Sequence, residues 1–214
     1  NFNLTHNSNK VTYLSPENKG ANASFYGDGK VYKGAQSGNY FIGEDLPRHT
    51  WYMRHYLGVN EKGQALYACA NAPDGSGTTT VWSNADYVLC GSPYSDINGG
   101  FGTSISYKGI ALNVGFTYAV GGKVFDDGYR TSMAMPTMGY TGGALHQDVL
   151  NAWTAENTSS LIPRLQFNDT NSNYTSSRWL TDGSYLSLQS VNLSYTFPQK
   201  LIKSIYLSNL RVYV

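Results

Sequence analysis

Charged side chains are scarce in this sequence: Asp, Glu, Lys and Arg together make up 14% of its 214 residues, against about 25% in ordinary soluble domains. The formal net charge is only +1, so the sequence has neither the basic field that attracts nucleic acid nor an acidic tail. Nucleic acid is therefore excluded as an expected partner. The folded surface is also not expected to be conventionally charged.

Long apolar runs are absent as well. No stretch of eighteen apolar residues occurs, which excludes a transmembrane helix but not membrane-spanning strands, because their alternating residues average to a hydrophilic value. The first residues, NFNLTHNSNK, lack a basic region followed by an apolar one, so we find no signal peptide. We expect the chain to be processed or to start inside a longer protein.

Cysteine is limited to Cys69 and Cys90, too few for a disulfide scaffold and without the paired spacing of a zinc site. Packing in the interior is the favoured interpretation of each. A single bridge between them, in an oxidising compartment, stays open as the alternative.

Residue patterns for catalysis are also missing. His49 and His55 lie six residues apart, unlike the i, i+4 pair of a helical metal site, and we interpret them as loop histidines. Asp126 and Asp127 are adjacent, which points their carboxylates apart and makes them a poor acid and base pair. We therefore predict no enzyme activity, no metal site and no cofactor.

A strict alternation dominates the stretch SYKGIALNVGFTYAVGG, from Ser106 to Gly122. From Ile110 onward, bulky apolar residues occupy one parity, and small, uncharged residues occupy the other, which is the period of a β-strand. An ordinary soluble sheet would carry charged residues on its second face. This strand therefore separates two environments, neither of which is bulk water.

Further strands are predicted on both sides of it. Phe101 to Tyr107 alternates in the same way, and Lys108-Gly109 then forms a two-residue hairpin turn. VNLSYTF, LRVYV and the N-terminal FNLTHNSNKVTYL, the last with one irregularity, are also interpreted as strands, and HTWYMRHYLGV as extended. The long interval from Gly121 to Gly183 is predicted to be a large loop with one short helix, in which Leu145, Val149 and Trp153 share a face.

These patterns predict an all-β fold that forms part of a transmembrane β-barrel. The only charge between Ile97 and Gly122 is Lys108 at the turn, and eleven residues match the roughly 9 to 11 that cross a bilayer. Short turns are expected on the periplasmic side and the long loop outside the cell. Lipid is predicted to contact Leu112, Val114, Phe116, Leu193 and Tyr195, and the lumen Asn113, Thr117, Asn192 and Ser194.

Aromatic residues outside the strongest strands are the candidates for binding a substrate or partner. Exposed rings on loops often stack on sugars or anchor interfaces. The alternative is that they pack the loops against one another. The candidates are Trp82, Tyr87, Tyr94, Tyr129 and Trp153.

Four stretches resemble one family, the SusC/RagA-type TonB-dependent outer-membrane transporters of the Bacteroidetes kind. They follow one another in the family's order and cover most of the chain from Gly58 onward. They are GVNEKGQALY, the run from GSPYSDINGG to VFDDGY, HQDVLNAWTAENTSSLIPRLQ, and SSRWLTDGSYLSLQSVNLSYTFPQKL followed by LRVYV.

This resemblance implies a segment, residues 1–214, of a plugged barrel of about 22 antiparallel strands with long extracellular loops, in the outer membrane. The family's plug, N-terminal domain and barrel end have no counterpart in the sequence. It implies import of oligosaccharides or oligopeptides, a SusD-like lipoprotein lid, and energy from a TonB complex that acts through the missing N-terminal part. No cation site is carried over.

Two alternatives remain open from the residues alone. One is a soluble, secreted β-sandwich that binds carbohydrate through loop aromatics, and the other is an ungated porin-type channel. For the barrel, we expect the isolated chain not to fold by itself, because strand patterns at both ends would leave backbone groups unpaired in lipid. The rest of the barrel, the plug and membrane lipid are then its neighbours.

Overall fold

The computed structural model describes residues 1–135 and 143–214. They divide into two compact units, which we name the sheet unit (residues 1–8, 94–122 and 183–214) and the connection unit (residues 9–93 and 123–182). Among the described residues, no helix has the length and apolar character needed to span a membrane. Residues 136–142, inside the predicted large loop, lie outside the described residues.

Strands make up most of the regular structure. In chain order they are β1 (Phe2–His6), β2 (Ala21–Ala23), β3 (Tyr32–Ser37), β4 (Tyr40–Gly43), β5 (Thr50–Arg54), β6 (Tyr56–Val59), β7 (Ala65–Ala68), β8 (Thr78–Thr79), β9 (Tyr87–Leu89), β10 (Ile97–Tyr107), β11 (Ile110–Val120), β12 (Lys123–Phe125), β13 (Leu180–Asp182), β14 (Tyr185–Thr196) and β15 (Arg211–Tyr213).

Helices are short. The α-helices are α1 (Asp127–Ser132) and α2 (Gln199–Ile202). The helix predicted around Leu145, Val149 and Trp153 is a 3₁₀ helix, Gln147–Asn151, which contains only Val149 of these three residues. Further 3₁₀ turns lie at Pro16–Asn18, Trp82–Asn84, Asn171–Asn173, Ser177–Trp179 and Lys203–Ile205.

The sheet unit is one five-stranded antiparallel sheet in the order β1-β10-β11-β14-β15. Its centre is the predicted hairpin, in which Ile97 to Tyr107 pairs with Val120 to Ile110 without a break. The turn residues Lys108 and Gly109 have φ of 46° and 88°, as a two-residue hairpin turn with both central residues at positive φ requires. A Cβ at position 109 would lie 2.6 Å from the Thr196 carbonyl oxygen.

A bulge in β14 keeps the apolar residues on one face. The pairing with β11 shifts between Gly115, opposite Ser190, and Phe116, opposite Leu188. Leu186 and Leu188 precede the extra residue Gln189, and Val191 and Leu193 follow it with the opposite parity. A one-residue offset would otherwise turn half of the strand over.

One face of the sheet unit is apolar and exposed. Phe101, Val114 and Val191 share it with their neighbours, and Leu186 and Ile105 keep 65% and 60% of their surface accessible. The other face carries Asn113, Gly115 and Thr117 with their small cross-strand partners. The predicted grouping of residues by face is therefore correct, and a contiguous apolar face of this extent is not typical of a soluble monomer.

Both long connections leave the sheet unit at the same end. His6 pairs with Ile97, Ile97 with Val120, and Ala119 with Tyr185, so residues 7–96 and 121–184 begin and end at the same end of the strands. The turn at Lys108 and the connection from β14 to β15 lie at the opposite end of the strands. The predicted asymmetry of loop length is correct, although the second of those connections holds α2 rather than a tight turn.

The connection unit contains a sheet of order β2-β3-β4-β5-β9, a sheet of order β6-β7-β8 and the pair β12-β13. Its interior consists of several small clusters rather than one core. The largest buried side chains are Trp179, Tyr67, Phe41 and Met53.

Arginine substitutions on adjacent residues of β11 test which face meets lipid. We expect Val114→Arg to destabilise the membrane-embedded receptor by about 2 to 4 kcal/mol if it lies near the bilayer midplane, because a guanidinium would enter hydrocarbon. Asn113→Arg should cost much less. Urea unfolding in lipid vesicles measures both, and equal destabilisation by the two variants would contradict the assignment.

Candidate ligand-binding site

A two-sided strand pair organises the candidate site in the connection unit. β5 and β9 are antiparallel, with Tyr52 opposite Leu89, Met53 opposite Val88 and Arg54 opposite Tyr87. Successive side chains of a strand point to opposite faces. Met53 and Val88 therefore enter a buried cluster, while Tyr52, Arg54 and Tyr87 share the other face.

Arg54 lies between two aromatic rings on that face. Its Cζ is 4.2 Å from the ring centre of Tyr87 and 5.1 Å from that of Trp82. The stack continues on both sides, since Tyr52 lies 5.0 Å from Tyr87 at 27° and Trp82 lies 4.7 Å from Tyr174. A guanidinium on an aromatic face is attracted by the ring quadrupole. We call Tyr52, Tyr87, Arg54, Trp82 and Tyr174 the arginine stack.

Backbone hydrogen bonds fix Trp82 within the arginine stack. Its ring Nε1 donates to the Thr175 carbonyl oxygen at 2.8 Å, and its backbone N–H donates to Oδ1 of Asn171 at 3.1 Å. Both partners belong to the segment just before β13. The stack therefore joins two stretches of the chain that lie about ninety residues apart in sequence.

The charge on Arg54 has no acidic partner within residues 1–135 and 143–214. Its Nε is buried and makes no hydrogen bond there. The nearby acid Asp86 instead accepts from the backbone N–H of Ala70. Burial raises the pKa of Tyr52.

A cavity of about 670 Å³ opens beside Arg54, within the size range of small-molecule sites. Tyr26 lies at its rim with 60% of its surface exposed and stacks on His55 at 4.5 Å. Burial, and to a lesser extent the charge of Lys123, lowers the pKa of His55, so the imidazole is neutral at pH 7. The remaining lining residues are Ser24, Phe25, Gly27, Tyr52, Ala68, Cys69, Ala70, Gly77, Ala85, Asp86, Tyr87 and Val88.

A second, partly buried arginine supports the segment that carries Tyr174. Arg178 lies 4.3 Å from the Trp179 ring and 5.5 Å from the Tyr56 ring, and it donates to the Ser172 carbonyl oxygen at 3.0 Å. Burial lowers the pKa of Arg178. Burial also raises the pKa of Tyr56 to about 12, and the Tyr56 hydroxyl donates to the Leu161 carbonyl oxygen at 2.7 Å.

The five aromatic residues singled out from the sequence have different surroundings. Trp82 and Tyr87 come together in the arginine stack, whereas Tyr129 donates to Asp148 at 2.9 Å and Trp153 packs on Gly63. Tyr94 belongs to the sheet unit. All five are partly buried, so the alternative that such rings pack the loops describes these contacts. Their part in binding remains a prediction.

Sequence reasoning missed Arg54, Tyr52 and Tyr26 as site residues. The parity of HTWYMRHY places Tyr52 and Arg54 on one face, which is a usable signal once the segment is interpreted as extended. Nothing local identifies β9 as the partner strand, because it lies more than thirty residues further on.

The other residues weighed for chemistry have structural roles. Asp126 caps α1 by accepting from the Tyr129 backbone N–H, and Asp127 pairs with Arg130 at 2.7 Å. Cys69 and Cys90 are free and buried, so the alternative of a bridge between them is wrong. Within the described ranges, no group of three metal-ligating side chains occurs.

Together, the antiparallel sheet with two distinct faces and the long connections on one edge define the class of fold, a portion of an outer-membrane-type β-barrel. Solved structures agree. Three of the RagAB peptide transporter or importer, two of them in states called open-open and closed-closed, match 99% of the chain at 24% identity, with TM-scores of 0.66, 0.69 and 0.67. The chain covers 21 to 22% of those chains.

The sequence relatives are described as TonB-dependent receptors. TonB-dependent receptor P3 of Formosa agariphila is 29% identical over 191 residues, which are 89% of this chain and 17% of the receptor. TonB-dependent receptor P26 of the same organism is 29% identical over 120 residues, 55% of this chain and 12% of the receptor. No family model matches. The chain is similar to TonB-dependent receptors, and the predicted SusC/RagA-type resemblance is confirmed.

These relatives are named as receptors and transporters rather than enzymes, which agrees with the predicted lack of enzyme activity. The chain spans less than a quarter of the length of each of these relatives. The activity, substrates and partners of a whole receptor are therefore proposals for this chain.

The contact between Gly63 and Trp153 gives a test of how the connection unit is held together. Gly63→Ala should loosen the segment around Trp153, because the new Cβ would overlap with the Trp153 ring and Gly63 has φ of 76°. We expect faster proteolysis of this segment in the purified receptor and a shift in tryptophan fluorescence.

Gly75→Ala is the matched control for this substitution. Gly75 has φ of 69°, and a Cβ at this position would have no other atom within 4 Å, so the variant carries a similar backbone strain without the overlap. If both variants were proteolysed at the same rate, the Trp153 contact would have no part in the effect.

Proposed function

We propose that this chain is a portion of the barrel domain of a TonB-dependent outer-membrane importer, with the plug and the TonB-contacting part elsewhere in the same protein. The exposed apolar face of the sheet unit, opposite a small and uncharged face, is the observation that carries the proposal. The relatives support it, since the chain matches only 17% of receptor P3.

The soluble sandwich is less well supported. In a sandwich, the apolar face of each sheet is covered by the other sheet, whereas Leu186, Leu188 and Val191 keep 65%, 54% and 54% of their surface exposed. Contact with lipid would remove such an apolar face from water. The porin alternative differs from the importer in conducting ions without an energy source or partner, and single-channel recording separates the two.

The cargo we propose is an oligosaccharide or oligopeptide taken up from outside the cell of a Bacteroidetes-like bacterium. The solved neighbours are named as peptide importers, and their open and closed states describe an assembly with a moving part. We assign that part, for this protein, to a SusD-like surface lipoprotein that covers the barrel. Energy would come from a TonB complex.

Native copurification tests this assignment. The tagged receptor, extracted from outer membranes in mild detergent, should bring down a surface lipoprotein in equal amount together with bound oligosaccharide or peptide, both identified by mass spectrometry. A receptor that purifies alone and conducts ions would instead support the porin.

Cysteine labelling tests the sidedness of the connections. Leu150 is 87% exposed in the long connection, so we expect Leu150→Cys to react with a membrane-impermeant maleimide on intact cells. Lys108→Cys, at the hairpin turn, should react only after permeabilisation. The native cysteines are buried and give a low background, which the unsubstituted receptor measures. The reverse labelling pattern would invert the topology.

A further inference from the structure

The cavity beside Arg54 has the features of a ligand site rather than of a packing fault. All of its lining residues belong to the connection unit. Its walls combine several aromatic rings with one cation and one carboxylate, Arg54 and Asp86. Ligand sites typically show this combination, an apolar enclosure with a few polar groups that fix orientation.

Arg54 is the cationic group in the cavity wall. The aromatic rings of Tyr87 and Trp82 lie against the guanidinium, and such stacking covers its faces while its N–H groups point outward in the plane. No residue in the described part of the chain accepts from the buried Nε. Arg54 lines the cavity, and the planar fork of donors on a guanidinium matches a carboxylate.

The backbone around the cavity argues against an extended peptide as the ligand. Peptides in sheet proteins often bind by adding a strand to a free edge. The edge of β9 next to the cavity is partly engaged, since Leu89 N–H donates to the Ser24 carbonyl, and just before the strand Asp86 N–H donates to the Ala68 carbonyl. Recognition there falls to side chains.

Side chains of this kind suit a sugar ring. The C–H groups of a sugar are attracted by the negative face of an aromatic ring, and Tyr26 at the rim provides an exposed ring. Asp86 can accept from sugar hydroxyls, because Ala70 engages only one of its oxygens in the structure.

We propose that the cavity bounded by Tyr26, Arg54, Tyr87 and Asp86 binds an acidic saccharide unit, with its carboxylate on Arg54 and its ring against Tyr26. The inference rests on the proposed function in one respect, that the saccharide is cargo of the importer. Binding itself requires only the connection unit's residues.

Calorimetric titration of the purified receptor tests this proposal with three probes: trigalacturonate, its carboxyl-reduced neutral counterpart and triglutamate. We expect trigalacturonate to bind and the neutral trisaccharide to bind at least about tenfold more weakly. Arg54→Met should weaken trigalacturonate binding by roughly thirtyfold or more, because it removes the cation that faces the carboxylate. Tyr26→Ala should weaken both saccharides.

Arg48→Met is the matched control, since Arg48 is an exposed arginine of the same unit outside the cavity, and its binding should equal that of the unsubstituted receptor. Tyr26 is exposed, so its variant tests the site even if Arg54→Met does not fold, which heat-modifiable migration reports.

Three results would overturn the proposal: no binding of trigalacturonate to the unsubstituted receptor, equal binding of the neutral trisaccharide, or tighter binding of triglutamate that is lost with Arg54→Met. The labelling and copurification experiments do not depend on these probes. A failure of the cavity assignment is therefore distinguishable from a failure of the importer assignment.

Discussion

The sheet unit depends on one constraint: every backbone N–H and C=O group beside its exposed apolar face needs a hydrogen-bond partner in a neighbouring strand. In hydrocarbon, each unpaired backbone N–H or C=O costs several kcal/mol because no water replaces a missing neighbour. β10 and β11 answer this with eleven consecutive pairs. Each strand must also keep its bulky residues on the same face of the sheet. Where the sequence alternation changes parity, rotating side chains cannot restore this arrangement. The bulge at Gln189 resolves the one mismatch in β14 by shifting the backbone register.

The connection unit follows a different rule. Its apolar clusters are small, and short polar side chains satisfy the backbone of its turns. Oδ1 of Asn60 accepts from the N–H groups of Lys62 and Gln64, and Oδ1 of Asp74 accepts from the N–H group of Ser76. Such bonds allow irregular backbone without unsatisfied groups. The turns of the connection unit therefore account for much of the Asn, Ser and Gly in the sequence.

Sequence periodicity predicted the central hairpin of the sheet unit well because β10 and β11 are each eleven residues long. The Lys108-Gly109 turn was predictable from its length and glycine. The bulge in β14 was not, because the parity change from Leu188 to Val191 resembles two separate short strands. Only part of the candidate site could be predicted from the sequence. Trp82 and Tyr87 were identified as aromatic residues, but their association with Arg54 depends on the pairing of β5 with β9, a long-range contact that has no local sequence signal. The prediction of the short helix near Val149 was wrong in its length, because apolar spacing alone does not distinguish a 3₁₀ helix from an α-helix.

The two stacked arginines show why similar surroundings can serve different purposes. Arg178 is packed against Trp179 and Tyr56, and its guanidinium donates to the Ser172 carbonyl, so part of its lost hydration is replaced within the chain. Arg54 has comparable aromatic contacts, but its buried Nε has no hydrogen-bond acceptor in the described ranges. Removing a charge from water is expensive unless hydrogen bonds replace the hydration. The cost at Arg178 is offset by a contact that fixes the fold, whereas no residue in the described ranges supplies an acceptor for Nε of Arg54. The cavity beside Arg54 leaves room for a ligand to contact its guanidinium.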